Sequence, residues 1–313
     1  MDGMYIFNLI FNILTSGIPC ALLAVGIFLT YRLLDFADLT AEGSFLIGGA
    51  TCLTVIVNGG GALLGTIAGL LGGAVCGFIT GILNTKLHIP KLLSGIITMT
   101  ATSSIALLIM GSAKGGTAFN NLISLSNKDV TIYSFFYPNN MWNVVIETII
   151  MAAIVVVVIF IIYFFFGTEY GMAIRATGMN EQMSRTQGIN TNTATIVCVS
   201  LSNALIGLAG ALYAQDVRSF DVKTASGFLV VGLASILIGE TIFGKRSFKN
   251  WIISVALGGI VYFIIVNVAI SLGFPTQLKN LLYAILITIA LCLPLIKNSF
   301  KNLFNKVKLK ENK

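Results

Sequence analysis

Residues 229–247, LVVGLASILIGETIFGKRS, decide the fold, because two readings of them exclude one another. Gly239, Gly244 and Lys245 match the phosphate-binding loop G-x-x-x-x-G-K-[ST], behind an apolar run that would be its buried strand. On that reading the chain is a soluble nucleotide-binding protein. The alternative is an apolar helix that crosses a membrane, is ended by Gly244 as a C-terminal glycine, and is followed by Lys245, Arg246 and Lys249 in a basic loop. Arg246 stands where a phosphate loop needs the Ser or Thr that binds Mg²⁺, and no acidic strand motif accompanies the run. The surrounding chain decides for the membrane.

Of 313 residues, 56% are hydrophobic and 10% charged, with mean hydropathy +0.93, against about 25% charged in soluble domains. So little polar surface cannot cover a soluble core, and lipid must be the solvent for most of the chain. A span takes about 20 apolar residues. Nine segments qualify: 6–30, 43–58, 62–84, 92–111, 142–166, 192–215, 226–243, 250–271 and 279–296. The expectation is an all-α polytopic membrane protein of about nine helices (eight to ten). The second and seventh are short, as parts of broken or re-entrant helices would be. Residues 1–298 read as one transmembrane domain and 299–313 as a basic tail.

The five cysteines (20, 52, 76, 198 and 292) fall inside spans without a C-x-x-C pair and read as core fillers; His88, the only histidine, has no second metal ligand nearby. Assigning loops alternately places 14 of the 19 Lys and Arg on one side and 5 on the other. The positive-inside rule makes the first side cytoplasmic, with the N-terminus outside and the C-terminus inside. Trp142 anchors an outer boundary, and Trp251 and the run Tyr163 to Phe166 inner ones. The lysine-rich tail then lies against anionic lipid rather than nucleic acid. The outer loop 112–141, with Tyr133, Phe135, Phe136 and Tyr137, either touches an external protein or anchors in the interface.

Two stretches resemble each other at an offset of 184: FADLTAEGSFLIGGA (36–50) and FDVKTASGFLVVGLA (220–234) share Phe36/Phe220, Thr40/Thr224, Gly43/Gly227 and Gly48/Gly232. In this topology they enter from opposite sides, as an inverted repeat with halves of about 30–110 and 214–296. Each copy opens on polar residues: Asp35, Asp38, Thr40 and Glu42 in the first, Asp221 and Thr224 in the second. Asp38 or Thr40, and Asp221 or Thr224, cap the short helices, line a translocation path, or do both. Gly65, Gly69, Gly73, Gly77 and Gly81 recur every four residues and form a close-packing seam, against either another helix of this chain or a second copy.

The segment EYGMAIRATGMNEQMSRTQGIN (169–190) is too polar for lipid and suits a short helix docked on a cytoplasmic partner. It resembles the coupling segment (167–191) of permeases in ATP-binding-cassette (ABC) importers of the branched-chain amino-acid and ribose branch. YRLLDFADLTAEGSF (31–45) and KLLSGIITMTA (91–101) are similar to permeases that work with tryptophan- or tyrosine-type binding lipoproteins. The resemblance implies a paired permease (homodimer or two different permeases), two cytoplasmic ATPase subunits and an extracellular substrate-binding lipoprotein, in a bacterial plasma membrane. It places Gly171, Arg175, Ala176, Gly178, Asn180 and Gly188 in the segment that fits a groove on the ATPase. It implies no cofactor on this chain, ATP and Mg²⁺ belonging to the partner, and a small solute, an amino acid, as cargo. The chain is then a transport subunit rather than an enzyme.

An ion-coupled secondary transporter or a channel would share the repeat and the glycine seam. It should carry ionisable residues deep within spans. Glu147 and Glu240 instead lie near span ends, where Glu240 either snorkels to the inner surface or faces the path.

Overall fold

The computed structural model describes residues 3–115, 119–126, 130–132, 143–275, 278 and 280–289. Among the described residues, eight helices are long and apolar enough to cross a membrane: Phe11–Leu33, Thr40–Val57, Ala62–Thr85, Lys91–Gly111, Val145–Phe165, Thr191–Val217, Val222–Ile242 and Phe248–Ser271. Of the ninth expected span the described residues hold only the short apolar helix Asn280–Ile289, and the rest of it lies outside them, as do the tail, Trp142 and the aromatic cluster 133–137. The chain is an all-α polytopic membrane protein.

In chain order the helices are α1 (Gly3–Phe28), extended by a π-helical turn Leu29–Leu33, α2 (Thr40–Val57), α3 (Ala62–Thr85), α4 (Lys91–Gly111) and α5 (Asn143–Phe165). Then come α6 (Glu169–Met179), α7 (Glu181–Thr186), α8 (Thr191–Val217), α9 (Phe228–Ile242) and α10 (Phe248–Ser271), with Asn280–Ile289 as α11. A short antiparallel pair, Leu122–Ser124 with Ser219–Asp221, ties the loop after α4 to the connector before α9.

Lipid offers apolar helices no hydrophobic reason to associate, so close backbone approach has to hold them. The α3 seam supplies it. A Cβ on Gly73 would run into the carbonyl of Asn203, one on Gly77 into that of Val199, and one on Gly81 onto Ile196, all on α8. Towards the other end Gly69 meets Gly48 and Ala211, and Gly65 meets the Cys52 carbonyl of α2. The seam is therefore internal to the chain. Gly207 of α8 answers it by abutting Gly69 and Gly73. This makes α8 the central helix, packed on α1, α2 and α3, while α1 packs on α9 and α10. By contrast α5, apolar all round, is held mainly by α1 and turns Val156, Phe160 and Phe164 outward. Cys20, Cys52, Cys76 and Cys198 are buried and in no disulfide among the described residues, as fillers of this core.

The opening stretch is resolved by geometry. Gly244 ends α9 with φ +79°, its N–H donating to the Glu240 carbonyl at 3.2 Å. Ser247 caps α10, its side chain accepting from the Asn250 N–H at 3.2 Å. Both residues of the apparent phosphate loop thus punctuate helices. Glu240, expected either to snorkel to the inner surface or to face the path, is held by its neighbours. It is nearly buried, 2.8 Å from Arg32 Nη2, and accepts from Trp251 Nε1 at 2.9 Å. The pair locks the end of α1 to α9 and α10.

The short helices begin inside the molecule. Leu33 and the segment 168–190 mark one side, here the near side, because Gly178 abuts the Leu33 backbone. From there α8, with 27 residues, carries the chain about 40 Å to the far side. Asn58, at the end of α2, reaches the Ser112 carbonyl at 3.4 Å on the far side, while Glu240, late in α9, pairs with Arg32 on the near side. The two helices thus run opposite ways, and their starts meet between: Phe45 stacks on Phe228 with centroids 4.1 Å apart.

Candidate functional site

Two sites follow from this frame, an interior junction where α2 and α9 begin and a surface segment beneath it. The connector 34–39 turns inward and brings Asp38 into the core, where Oδ1 accepts from the Thr40 N–H at 2.8 Å at the start of α2. Its Oδ2 accepts from Asn203 Nδ2 of α8 at 2.7 Å, and Asn203 Oδ1 accepts from Ser44 Oγ at 2.7 Å. Burial pushes the Asp38 carboxyl above the ordinary range, against the downward pull of the bonds from Thr40 and Asn203. The Thr40 hydroxyl pairs with Thr80 at 2.8 Å, and Thr80 donates to Thr98 at 2.8 Å. One hydrogen-bonded chain thus runs through α2, α3, α4 and α8. Asp38 holds the first N–H of α2 from the position before its N-cap, Leu39, and Thr40 is the link outward.

The second copy differs from expectation. Asp221 and Thr224 form a reciprocal capping box on the short 3₁₀ turn Val222–Ala225, not on α9. The reason is one intervening break: Gly227, with φ +90°, starts α9 afresh. Its N–H is taken by Glu42 of the first half, Oε1 to N 3.0 Å. A helix N-terminus carries partial positive charge, which a carboxylate complements. Of the six polar residues singled out, the structure brings Asp38, Thr40 and Glu42 to the junction. Asp221 and Thr224 stay at the far-side turn. Asp35, with φ +50°, sits at the near surface, where its carbonyl accepts from Lys91 Nζ at 3.1 Å. There it lines a cavity of about 580 Å³ with His88, Asn180 and Arg185.

The segment below is two helices, each capped. Thr168 accepts from the Gly171 N–H at 3.4 Å and Asn180 from the Met183 N–H at 3.0 Å. Of the six residues placed in this segment by resemblance, Gly171, Arg175 and Gly178 pack against the chain itself, while Asn180 and Gly188 are exposed. A Cβ on Gly171 would overlap Phe166, and one on Gly178 the Leu33 carbonyl. Arg175 donates to the Phe166 carbonyl at 3.0 Å and lies over the Phe248 ring, Cζ 4.7 Å from its centroid. Ala176 is half-buried, its carbonyl accepting from Asn180 N–H at 3.1 Å. Gly188, with φ +83°, lets the chain leave α7. Outward-facing apolar groups are Tyr170, Met172, Met183 and Met179, the last 89% exposed.

Sequence reasoning missed Asn203, Ser44, Thr80 and Thr98. Hydroxyls within apolar helices are the signal that marks them, but no local spacing links them to Asp38.

Eight helices of membrane-spanning length among the described residues, an interior meeting of two short helices and a capped polar segment at one face are an arrangement suited to a transport permease. Residues 9–291 match the family described as branched-chain amino acid transport system, permease component, and the chain belongs to that family. It is 32% identical to the tyrosine transport system permease protein of Clostridioides difficile over 89% of this chain and 88% of that one. It is 25% identical to the galactofuranose transporter permease of Escherichia coli (95% and 81% covered) and 23% identical to the ribose import permease of the same species (92% and 86%). No solved structure matches it. The protein is thus an ABC permease subunit of the branched-chain branch rather than an enzyme, and a multi-pass protein of the bacterial plasma membrane. Between the two transport classes open from the sequence, the family selects the ABC permease.

Proposed function

We propose that the chain forms the translocation path of an ABC importer for a small amino acid-like solute, delivered by an extracellular binding lipoprotein. The drive is ATP hydrolysis, with Mg²⁺, on two cytoplasmic ATPase subunits, and the permease works as a pair, with a second copy or a related chain. The phosphate loop that residues 239–247 imitate belongs to those partners. The observation that carries this reading is the seating of α6 against the broken end of α1. Gly178 rests directly on the Leu33 backbone, so a push on α6 reaches Leu33 with no side chain to absorb it. Five residues on is Asp38, and with it the start of α2.

In this reading Tyr170, Met172, Met179 and Met183 make the contact with the ATPase. Methionine-rich faces adapt to a partner's surface. The inward residues of the motif, Gly171, Arg175 and Gly178, transmit the movement. The reciprocal packing of α1 on α9 and α10, and of α8 on α2 and α3, supports an inverted repeat. An N-terminus outside puts α6 and α7 in the cytoplasm. An aromatic amino acid as cargo is supported by the relative named for tyrosine.

The test is Met179→Asp. Purified with its neighbours in mild detergent, the unaltered protein should retain a stoichiometric ATPase, and the variant should lose it and ATP-coupled uptake while inserting normally. Solute transport by the pure chain in liposomes without ATP would overturn the proposal.

A further inference from the structure

A second feature lies outside the transport machinery. An apolar groove of about 360 Å³ runs along the surface between α1, α5 and α10. Ile18 and Ala21 of α1, both buried, form its floor, and Phe160 of α5 and Leu257 of α10, both exposed, form its rims. One end reaches Tyr163 and Lys249, near the last turn of α5 and the first of α10; the other reaches Ala152 and Ile260, about midway along both helices.

Its length and its charge identify the occupant. Lys249 and Ile260 are eleven residues apart on one helix, or roughly 16 Å at 1.5 Å per residue. Half of a hydrocarbon core of about 30 Å is about 15 Å. The groove is therefore one leaflet deep, running from the membrane boundary to the midplane. At the boundary end Lys249, with Lys245 and Arg246 in the preceding turn, offers three cations that enter no ion pair among the described residues. Tyr163 lies at the same level, where aromatic rings with a polar edge favour the headgroup region. A second helix would find no use for a groove that stops at mid-membrane with cations at one mouth.

We propose that the groove binds an acyl chain of an anionic phospholipid, with Lys249 holding the phosphate and Lys245 and Arg246 adding charge. Such a lipid would join α5 to α10, which otherwise touch little. Its headgroup would sit beside Phe248, the ring under Arg175 at the root of α6.

The test compares phosphatidylglycerol with phosphatidylcholine, added to the full-length protein in mild detergent and followed by native mass spectrometry. Phosphatidylglycerol should stay bound at activation energies that strip phosphatidylcholine. Lys249→Gln, at an exposed position, should lower its occupancy about tenfold, and Leu257→Trp, which fills the groove, should abolish it. If Leu257→Trp does not fold, Lys249→Gln decides alone. Equal retention of the two lipids, or occupancy indifferent to Lys249→Gln, would overturn the proposal. So would cross-linking of Leu257→Cys to a second copy in native membranes, since the groove would then be a protein interface.

Discussion

The beginnings of α2 and α9 carry related sequences yet are held in different ways. At α2 every polar group finds a partner in neighbouring helices. Asp38 is held by Thr40 and Asn203, Asn203 also binds Ser44, and Thr40 continues through Thr80 to Thr98. At α9 a glycine in the left-handed region replaces the closed network, and one carboxylate, Glu42, reaches across from the other half. Buried, fully satisfied networks are costly to disturb, whereas a helix end held by one side chain, through the N–H groups of Gly227 and Leu229, opens at lower cost. The α2 end is thus the fixed part of the junction and the α9 end the adjustable part. The bond from Glu42 makes the position of α9 depend on α2.

The strongest way to break this contrast is Asn203→Leu. It strands the Asp38 carboxyl and the Ser44 hydroxyl in the core and should cost about 3 kcal/mol, read as a large fall in the melting temperature of the detergent-solubilised protein. A stability like that of the unaltered protein would show the network to be incidental. Glu42→Ala should cost less, about 1 kcal/mol, the usual worth of an anion at a helix N-terminus. Uptake should nonetheless fall severalfold, because the link between the halves is cut. A matching loss of stability and activity would place Glu42 in the fixed part instead. The smallest effect is expected from Asp221→Ala, which removes the cap of the 3₁₀ turn. About 1 kcal/mol or less should be lost, with uptake kept. An uptake defect as large as that of Glu42→Ala would mean the far-side turn belongs to the junction.

What was legible in advance divides along physical lines. The fate of GETIFGKRS was readable, because a C-terminal glycine and a basic loop are local features and Gly244 adopts the expected conformation. The seam of Gly65 to Gly81 was readable as a seam, since spacing fixes a helix face. Its partner was not, because spacing says nothing of what lies opposite, and α8 is more than a hundred residues away. The partner of Glu240 was hidden for the same reason: Arg32 lies 208 positions earlier. In the segment 169–190 the motif was visible, but which residues face outward depends on how α6 leans on Leu33.

Hydropathy, charge bias and glycine spacing are properties of each segment taken alone, and they suffice for a polytopic membrane protein with a polar segment at one face. The junction of Asp38, Asn203 and Glu42 came only with the packed chain. Its bonds join residues about 160 to 190 positions apart, and only the tertiary fold brings such residues within hydrogen-bonding reach, where burial makes pairing obligatory.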